Sequence, residues 1–181
     1  MEAQKAISPL WEFALDYYAS DGIAQCLLAL QDEDGYQVNV LILAVWLTSR
    51  GLKLHKLPEK EEQAGCWFND VSVNIRALRK SVKPEGSEDG DLETLLANCY
   101  KKMLSAELAA EEIELMLLYQ QHLQWSSPFN ANEGVLARLT HNLSCCWHQM
   151  CASCMTSDDH ALRQLTLLEL SHSYLKSKRS L

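Results

Sequence analysis

The side chains best suited to metal or redox chemistry are concentrated in one segment of the chain, between His141 and Cys154. His141, Cys145 and His148 recur at spacings that place them on one face of a helix, and imidazole and thiolate groups are the usual ligands of zinc. Cys151 and Cys154 form a Cys-x-x-Cys pair, which has the spacing of a zinc half-site or of a redox-active pair.

The pattern around these residues argues against a metal centre. A closed structural zinc site normally takes two short-spaced ligand pairs, whereas this segment continues a helical pattern and the sequence contains no second Cys-x-x-Cys. No strand is predicted before Cys151, as a thioredoxin-like redox motif would require. We therefore predict no metal and no cofactor, and we interpret these groups as buried or incidental thiols and imidazoles.

A second chemical feature is the segregation of charge. The whole chain carries 16 Lys+Arg and 24 Asp+Glu, a net charge of −8, yet residues 50–83 contain eight basic and four acidic residues, a local net charge of +4. At about 100° per residue, four of the basic residues fall on one face of a helix. This basic strip has the chemistry to bind phosphates or carboxylates, and it consists of Arg76, Arg79, Lys80 and Lys83.

An acidic face within the chain is the natural competitor for the basic strip. Glu107, Glu111 and Glu114 share one face of the following helix. If the two helices form an antiparallel hairpin about residues 84–90, the helical rise places Glu107 opposite about position 66. The acidic face would then miss the basic strip in register. We therefore predict that the strip faces outward or toward an external anionic partner.

A polar residue in an otherwise apolar helix indicates an alternative site. Asn39 lies in the most apolar segment of the chain, and Trp46 follows two helical turns later. A buried amide needs hydrogen-bond partners, which a neighbouring loop or a bound ligand can provide. Other enzyme motifs fail: Glu169-x-x-His172 lacks the second pair that a di-iron bundle needs, and the sequence has neither a glycine-rich phosphate loop nor a Gly-x-Ser-x-Gly elbow.

These residues are positioned by helices. Apolar residues recur at helical spacing, and caps and breakers separate the segments. No segment is predicted to be a strand. The central helix is apolar on nearly every side and is followed by Gly51, so it should be buried. The predicted helices span about 9–19, 22–32, 37–50, 60–82, 91–123, 131–153 and 157–176.

The sequence thus predicts an all-α protein, a single-domain bundle of six to seven helices over residues 1–181. Its central helix lies at about 37–50, and a C-terminal helical pair spans about 131–176. With 181 residues, 48% hydrophobic and 22% charged, the chain can bury a substantial core. Collagen-like, low-complexity and disordered classes are excluded.

Composition also bounds the location and the partners. A net charge of −8 excludes general nucleic-acid binding. The longest apolar run, residues 40–47, is far shorter than the roughly 20 residues that span a bilayer, so no membrane partner is expected. The N-terminus lacks the layout of a signal peptide. Seven cysteines, an odd number, are a poor disulfide pattern for a secreted domain. These features predict a cytoplasmic protein with reduced thiols.

Four segments together are similar to a known family. The resemblance covers about residues 8–120 and is to a family of uncharacterised proteins, a domain of unknown function found chiefly in proteobacteria. It implies a small, all-helical, bacterial cytoplasmic protein, and it implies no activity and no catalytic residues. The segments are Leu10-Trp11-x-Phe13-Ala14-Leu15, Cys26-Leu27 with Gln31-Asp32, Val38-Asn39 with Trp46-Leu47, and Trp67 with Leu78-Arg79-x-x-x-Lys83.

The sequence therefore favours a non-enzymatic cytoplasmic interaction or regulatory protein. It would bind a protein or another anionic partner through the basic strip, and it could self-associate through apolar helix faces. The alternative is a helical enzyme or a small-ligand binder with a pocket near Asn39 and Trp46.

Overall fold

The computed structural model describes residues 8–84, 91–150 and 157–179 of the chain. Within these ranges the chain forms seven helices, which confirms the predicted all-α helical bundle. The end of the predicted 131–153 helix and most of the predicted 84–90 loop lie outside the described residues. The helices are α1 (Pro9–Tyr18), α2 (Ile23–Asp34), α3 (Val38–Ser49), α4 (Gln63–Ser81), α5 (Asp91–Gln121), α6 (Val135–Met150) and α7 (Asp158–Arg179).

The described chain divides into two compact units. The first unit comprises residues up to Leu57 and from Leu118 onward, and the second unit comprises Pro58–Leu117. Helix α5 therefore contributes most of its length to the second unit and its last residues to the first. The single-domain organisation over 1–181 stays a prediction.

Helix α3 forms the centre of the first unit. Its residues from Asn39 to Thr48 are all buried, which confirms the buried central helix predicted at about 37–50. It packs against α6, while α2 packs against α7. Because α3 is apolar on every side, it can be covered all round only inside a core. None of the helices in the described part of the chain combines the length and hydropathy needed to span a bilayer.

Two short strands that the sequence analysis did not predict also lie in the first unit. Strand β1 (Leu52–Leu54) pairs antiparallel with β2 (Ser126–Pro128), and Lys53 lies opposite Ser127. Gly51, with φ of +71°, lets the chain turn from the end of α3 into β1. Three residues are too few to show a period-two pattern, so the strands carry no sequence signal.

The second unit contains α4 and most of α5. Helix α4 is continuous but not uniform: an α-helical start, Gln63–Trp67, passes into a π-helical turn, Phe68–Ser72, and then into the segment Val73–Ser81. Such turns insert an extra residue into a helix and rotate the side chains that follow.

Replacing Gly65 with alanine should destabilise the second unit by about 2 kcal/mol, within the usual range for overpacking. A Cβ atom at this buried position would collide with the backbone carbonyl of Glu59, which cannot move as a side chain can. Urea unfolding would measure the loss. Gly134→Ala is the matched control, because a Cβ there meets nothing within 4 Å. Equal stability of the two variants would contradict the expected collision.

Candidate functional site

A cavity of about 380 Å³, widely open to solvent, lies between β1 and α6 in the first unit. One wall comes from β1 and the residue after it. The other wall comes from a single face of α6, because its residues follow an i, i+3, i+4, i+7 spacing. The lining residues are Lys53, Leu54, His55, His141, Ser144, Cys145 and His148.

The walls of this cavity are held together by Asn142, a fully buried residue of α6. Its Oδ1 accepts a hydrogen bond from the Leu54 N–H (2.8 Å), and its Nδ2 donates to the Leu52 carbonyl (2.9 Å). The same Nδ2 lies 3.0 Å from the Thr48 hydroxyl oxygen. The Leu54 N–H and the Leu52 carbonyl lie on the edge of β1 that does not pair with β2. Asn142 therefore supplies the hydrogen-bond partners that a neighbouring strand would supply.

Two histidines of the cavity are tethered to backbone carbonyls. His141 Nε2 lies 3.1 Å from the Leu54 carbonyl oxygen, and His148 Nδ1 lies 2.6 Å from that of Ser144. A carbonyl oxygen can only accept, so both of these ring nitrogens donate. The other nitrogen of each ring, His141 Nδ1 and His148 Nε2, is therefore the one left for a ligand. The third histidine, His55, contacts the Ser127 hydroxyl through Nε2 at 2.5 Å.

The described residues that line the cavity include one lysine and no carboxylate. Lys53 contributes an ammonium group, and among the described lining residues none is an aspartate or a glutamate. Burial raises the pKa of the Cys145 thiol, with a hydrogen bond from Gln149 opposing the shift in part. Cys145 is therefore a neutral thiol near pH 7, neither an anion that would repel a ligand nor an activated nucleophile.

Three of the five residues considered as metal ligands line this cavity: His141, Cys145 and His148. The other two, Cys151 and Cys154, lie outside the described residues. Within the described ranges, no three His, Cys, Asp or Glu side chains lie close enough together to hold a metal ion. The face of α6 that carries His141, Cys145 and His148 therefore borders a cavity. Among the described residues it does not bring together a set of metal ligands.

The basic strip lies in the second unit, where Arg76 and Arg79 contact carboxylates of α5. Arg76 donates from Nε to Glu107 (2.9 Å) and from Nη2 to Glu111 (3.0 Å). Arg79 forms an ion pair with Glu107 and donates to the Tyr100 hydroxyl (2.8 Å). The prediction that the acidic face misses the basic strip is therefore wrong. Lys80 and Lys83 are exposed.

The start of α5 explains the error in register. A hairpin about residues 84–90 would pair the last turn of α4 with the first turn of α5, but Leu92 and Leu95 are 70% and 65% exposed. Near the end of α4, Arg79 contacts Tyr100 rather than a residue of the first turns of α5. Pairing therefore begins about two turns later than the hairpin estimate assumed, which brings Glu107 and Glu111 to Arg76.

The alternative site in α3 is buried. Asn39 and Trp46 are 7% and 5% exposed, and neither lines the cavity between β1 and α6. The Trp46 ring packs edge-on against Tyr119 and His122, with centroid distances of 5.8 and 5.1 Å. A ligand pocket at these residues stays a prediction.

A polar cluster at the end of α2 was not found from the sequence. Arg163 holds the Asp34 carboxylate with two hydrogen bonds of 2.7 and 2.8 Å. His160 Nδ1 lies 3.0 Å from Asp34 Oδ1, and the His160 ring stacks on Tyr36. His160 and Tyr36 are both buried, which leaves a substrate no access to this imidazole. We interpret the cluster as a structural link between α2 and α7.

Part of the cavity had a signal in the sequence. The helical spacing of His141, Cys145 and His148 placed these residues on one face, as observed. Lys53 was counted only as one of the basic residues, and His55 was missed. Their wall depends on β1, which is too short to predict, and on contacts that join residues 87 and 88 positions apart.

Comparison with known protein families finds a match that covers more than half of the chain. A family model described as a protein of unknown function (DUF2390) matches residues 9–118. No curated protein and no solved structure matches the chain. The matched range contains the β1 wall of the cavity but not the α6 wall.

Proposed function

Because the chain belongs to DUF2390, a family of proteins of unknown function, we propose its function from the chemistry of its own cavity. The protein binds a small anionic ligand between β1 and α6. The observation that carries this proposal is the lining itself: one lysine and three histidines, with no carboxylate among the described lining residues.

The size of the cavity supports a small ligand. Its volume of about 380 Å³ lies at the lower end of the roughly 300–1,000 Å³ typical of small-molecule pockets. The Lys53 ammonium supplies a positive charge, and the Ser144 hydroxyl supplies a group that can donate or accept.

This proposal keeps the anionic partner expected from the sequence but moves its site. In the basic strip, the guanidinium groups of Arg76 and Arg79 already bind carboxylates of α5. An external anion would have to displace those carboxylates. An enzymatic role has less support, because Cys145 is not ionised near neutral pH. The bacterial origin and cytoplasmic location inferred from the sequence belong to the same proposal.

Removing positive charge from the cavity should weaken anion binding. We expect Lys53→Ala to raise the dissociation constant for inorganic phosphate about tenfold, the equivalent of about 1.4 kcal/mol, since the lysine supplies the fixed charge. Isothermal titration calorimetry at pH 6.5 measures the constant. Lys102→Ala is the matched control, because it removes the same charge from an exposed position on α5.

Two outcomes would overturn the proposed function. One is that the wild-type protein binds neither phosphate nor sulfate in a saturable way at millimolar concentrations. The other is an equal loss of affinity in Lys53→Ala and Lys102→Ala, which would assign the effect to overall charge rather than to the cavity.

A further inference from the structure

The two tethered histidines of the cavity present lone pairs, not N–H groups, when their rings are neutral. His141 Nε2 and His148 Nδ1 donate to the Leu54 and Ser144 carbonyls. A neutral imidazole carries a single ring proton, so His141 Nδ1 and His148 Nε2 can only accept. The tethers thus fix the hydrogen-bonding character of the second ring nitrogen of each of these two lining histidines.

This arrangement discriminates between anions of the same shape. The oxygens of sulfate carry no proton, so they would face the imidazole lone pairs without a hydrogen bond. Hydrogen phosphate keeps an O–H at neutral pH, and that hydroxyl can donate to a ring nitrogen while the other oxygens receive hydrogen bonds from donors such as the Lys53 ammonium. A hydrogen bond involving a charged group raises the affinity roughly tenfold or more.

We propose that the cavity selects an oxyanion that carries a hydroxyl group, of which hydrogen phosphate is the simplest, over a tetrahedral oxyanion without one. The Nε2 atom of His148 accepts the hydrogen bond from that hydroxyl. This selectivity rests on the proposed anion-binding function, and it assigns a chemical class to the ligand of the same site.

Calorimetric titration of the wild-type protein with phosphate and with sulfate at pH 8 tests the inference. We expect phosphate to bind about tenfold or more tightly than sulfate. His148→Arg replaces the acceptor with permanent donors, so it should bring the two affinities close together at pH 8.

Thr140→Arg is the matched control, because it adds the same charge at an exposed position of α6 that does not line the cavity. Equal affinities for phosphate and sulfate in the wild type at pH 8 would overturn the selectivity and leave the anion site in place. An unchanged preference in His148→Arg would overturn the role of His148. Binding of neither anion would overturn the proposed function itself.

Discussion

Replacing Asn142 with leucine should lower the free energy of unfolding of the first unit by about 4 kcal/mol. The substitution removes the partner of the Leu54 N–H and of the Leu52 carbonyl, and it leaves both groups next to a side chain that cannot hydrogen-bond. Each buried polar group that loses its partner costs about 1–3 kcal/mol. Urea unfolding followed by tryptophan fluorescence measures the difference.

The matched control for this prediction is Thr140→Ala. Thr140 is an exposed residue of α6, two positions from Asn142, so its replacement should change stability by about 0.5 kcal/mol or less. A loss of under about 1 kcal/mol in Asn142→Leu would contradict the bridging role of the amide, because it would mean that water replaces both hydrogen bonds. The same variant should bind phosphate poorly, since β1 forms one wall of the cavity.

The second large effect is expected at Glu107, where a glutamine should cost the second unit about 3 kcal/mol at pH 7. Glu107 is only 4% exposed and forms ion pairs with both Arg76 and Arg79. Removing one partner of a largely buried ion pair leaves uncompensated charge and costs about 3–5 kcal/mol. The lower figure applies because the two arginine side chains retain some exposure, and thermal or urea unfolding measures the loss.

The pH dependence of this loss has a definite sign. Burial by itself would raise the pKa of Glu107, but the hydrogen bonds from Arg79 and Arg76 outweigh it and hold that pKa below the ordinary value of 4.5. A carboxyl group with a lowered pKa stabilises the fold above its ordinary pKa, and this contribution is lost as the pH falls through the lowered value. The difference in the free energy of unfolding between wild type and Glu107→Gln should therefore shrink below about pH 4.5.

The control for the acidic range is Glu93→Gln, a change on the same helix at a residue outside the Arg76 and Arg79 ion pairs. It should leave both the stability at pH 7 and its acid dependence close to wild type. The pKa of Glu111 shifts in the opposite direction to that of Glu107, because burial raises it despite the ion pair between Glu111 and Arg76. If the difference in the free energy of unfolding between wild type and Glu107→Gln stayed constant from pH 7 to pH 3, the stabilisation could not be assigned to the Glu107 carboxylate.

Some features of the fold follow directly from residues that are close together in the sequence. Helical periodicity predicted α3 at about 37–50, and the helix is Val38–Ser49. The helix predicted from about residue 9 begins at Pro9, and the Ser8 hydroxyl before it accepts from the Trp11 N–H. These features depend on residues within a few positions of one another, so the sequence carries their full signal.

The basic strip shows where local patterning stops. Arg76 and Arg79 were placed on one helix face, but their partners were not identified. The partner depends on where pairing with α5 begins, and a shift of about two helical turns changes an outward-facing strip into a set of internal ion pairs. No periodicity within α4 or α5 contains that information, because it is set by the packing between them.

The sequence by itself determined the helical class, the buried central helix and the helix face that carries His141, Cys145 and His148. Only the tertiary structure decided that this face borders a cavity with Lys53 and His55, and that Asn142 holds β1 against it. The physical reason is distance along the chain. Helices follow from interactions three or four residues apart, whereas the cavity depends on hydrogen bonds between residues nearly ninety positions apart.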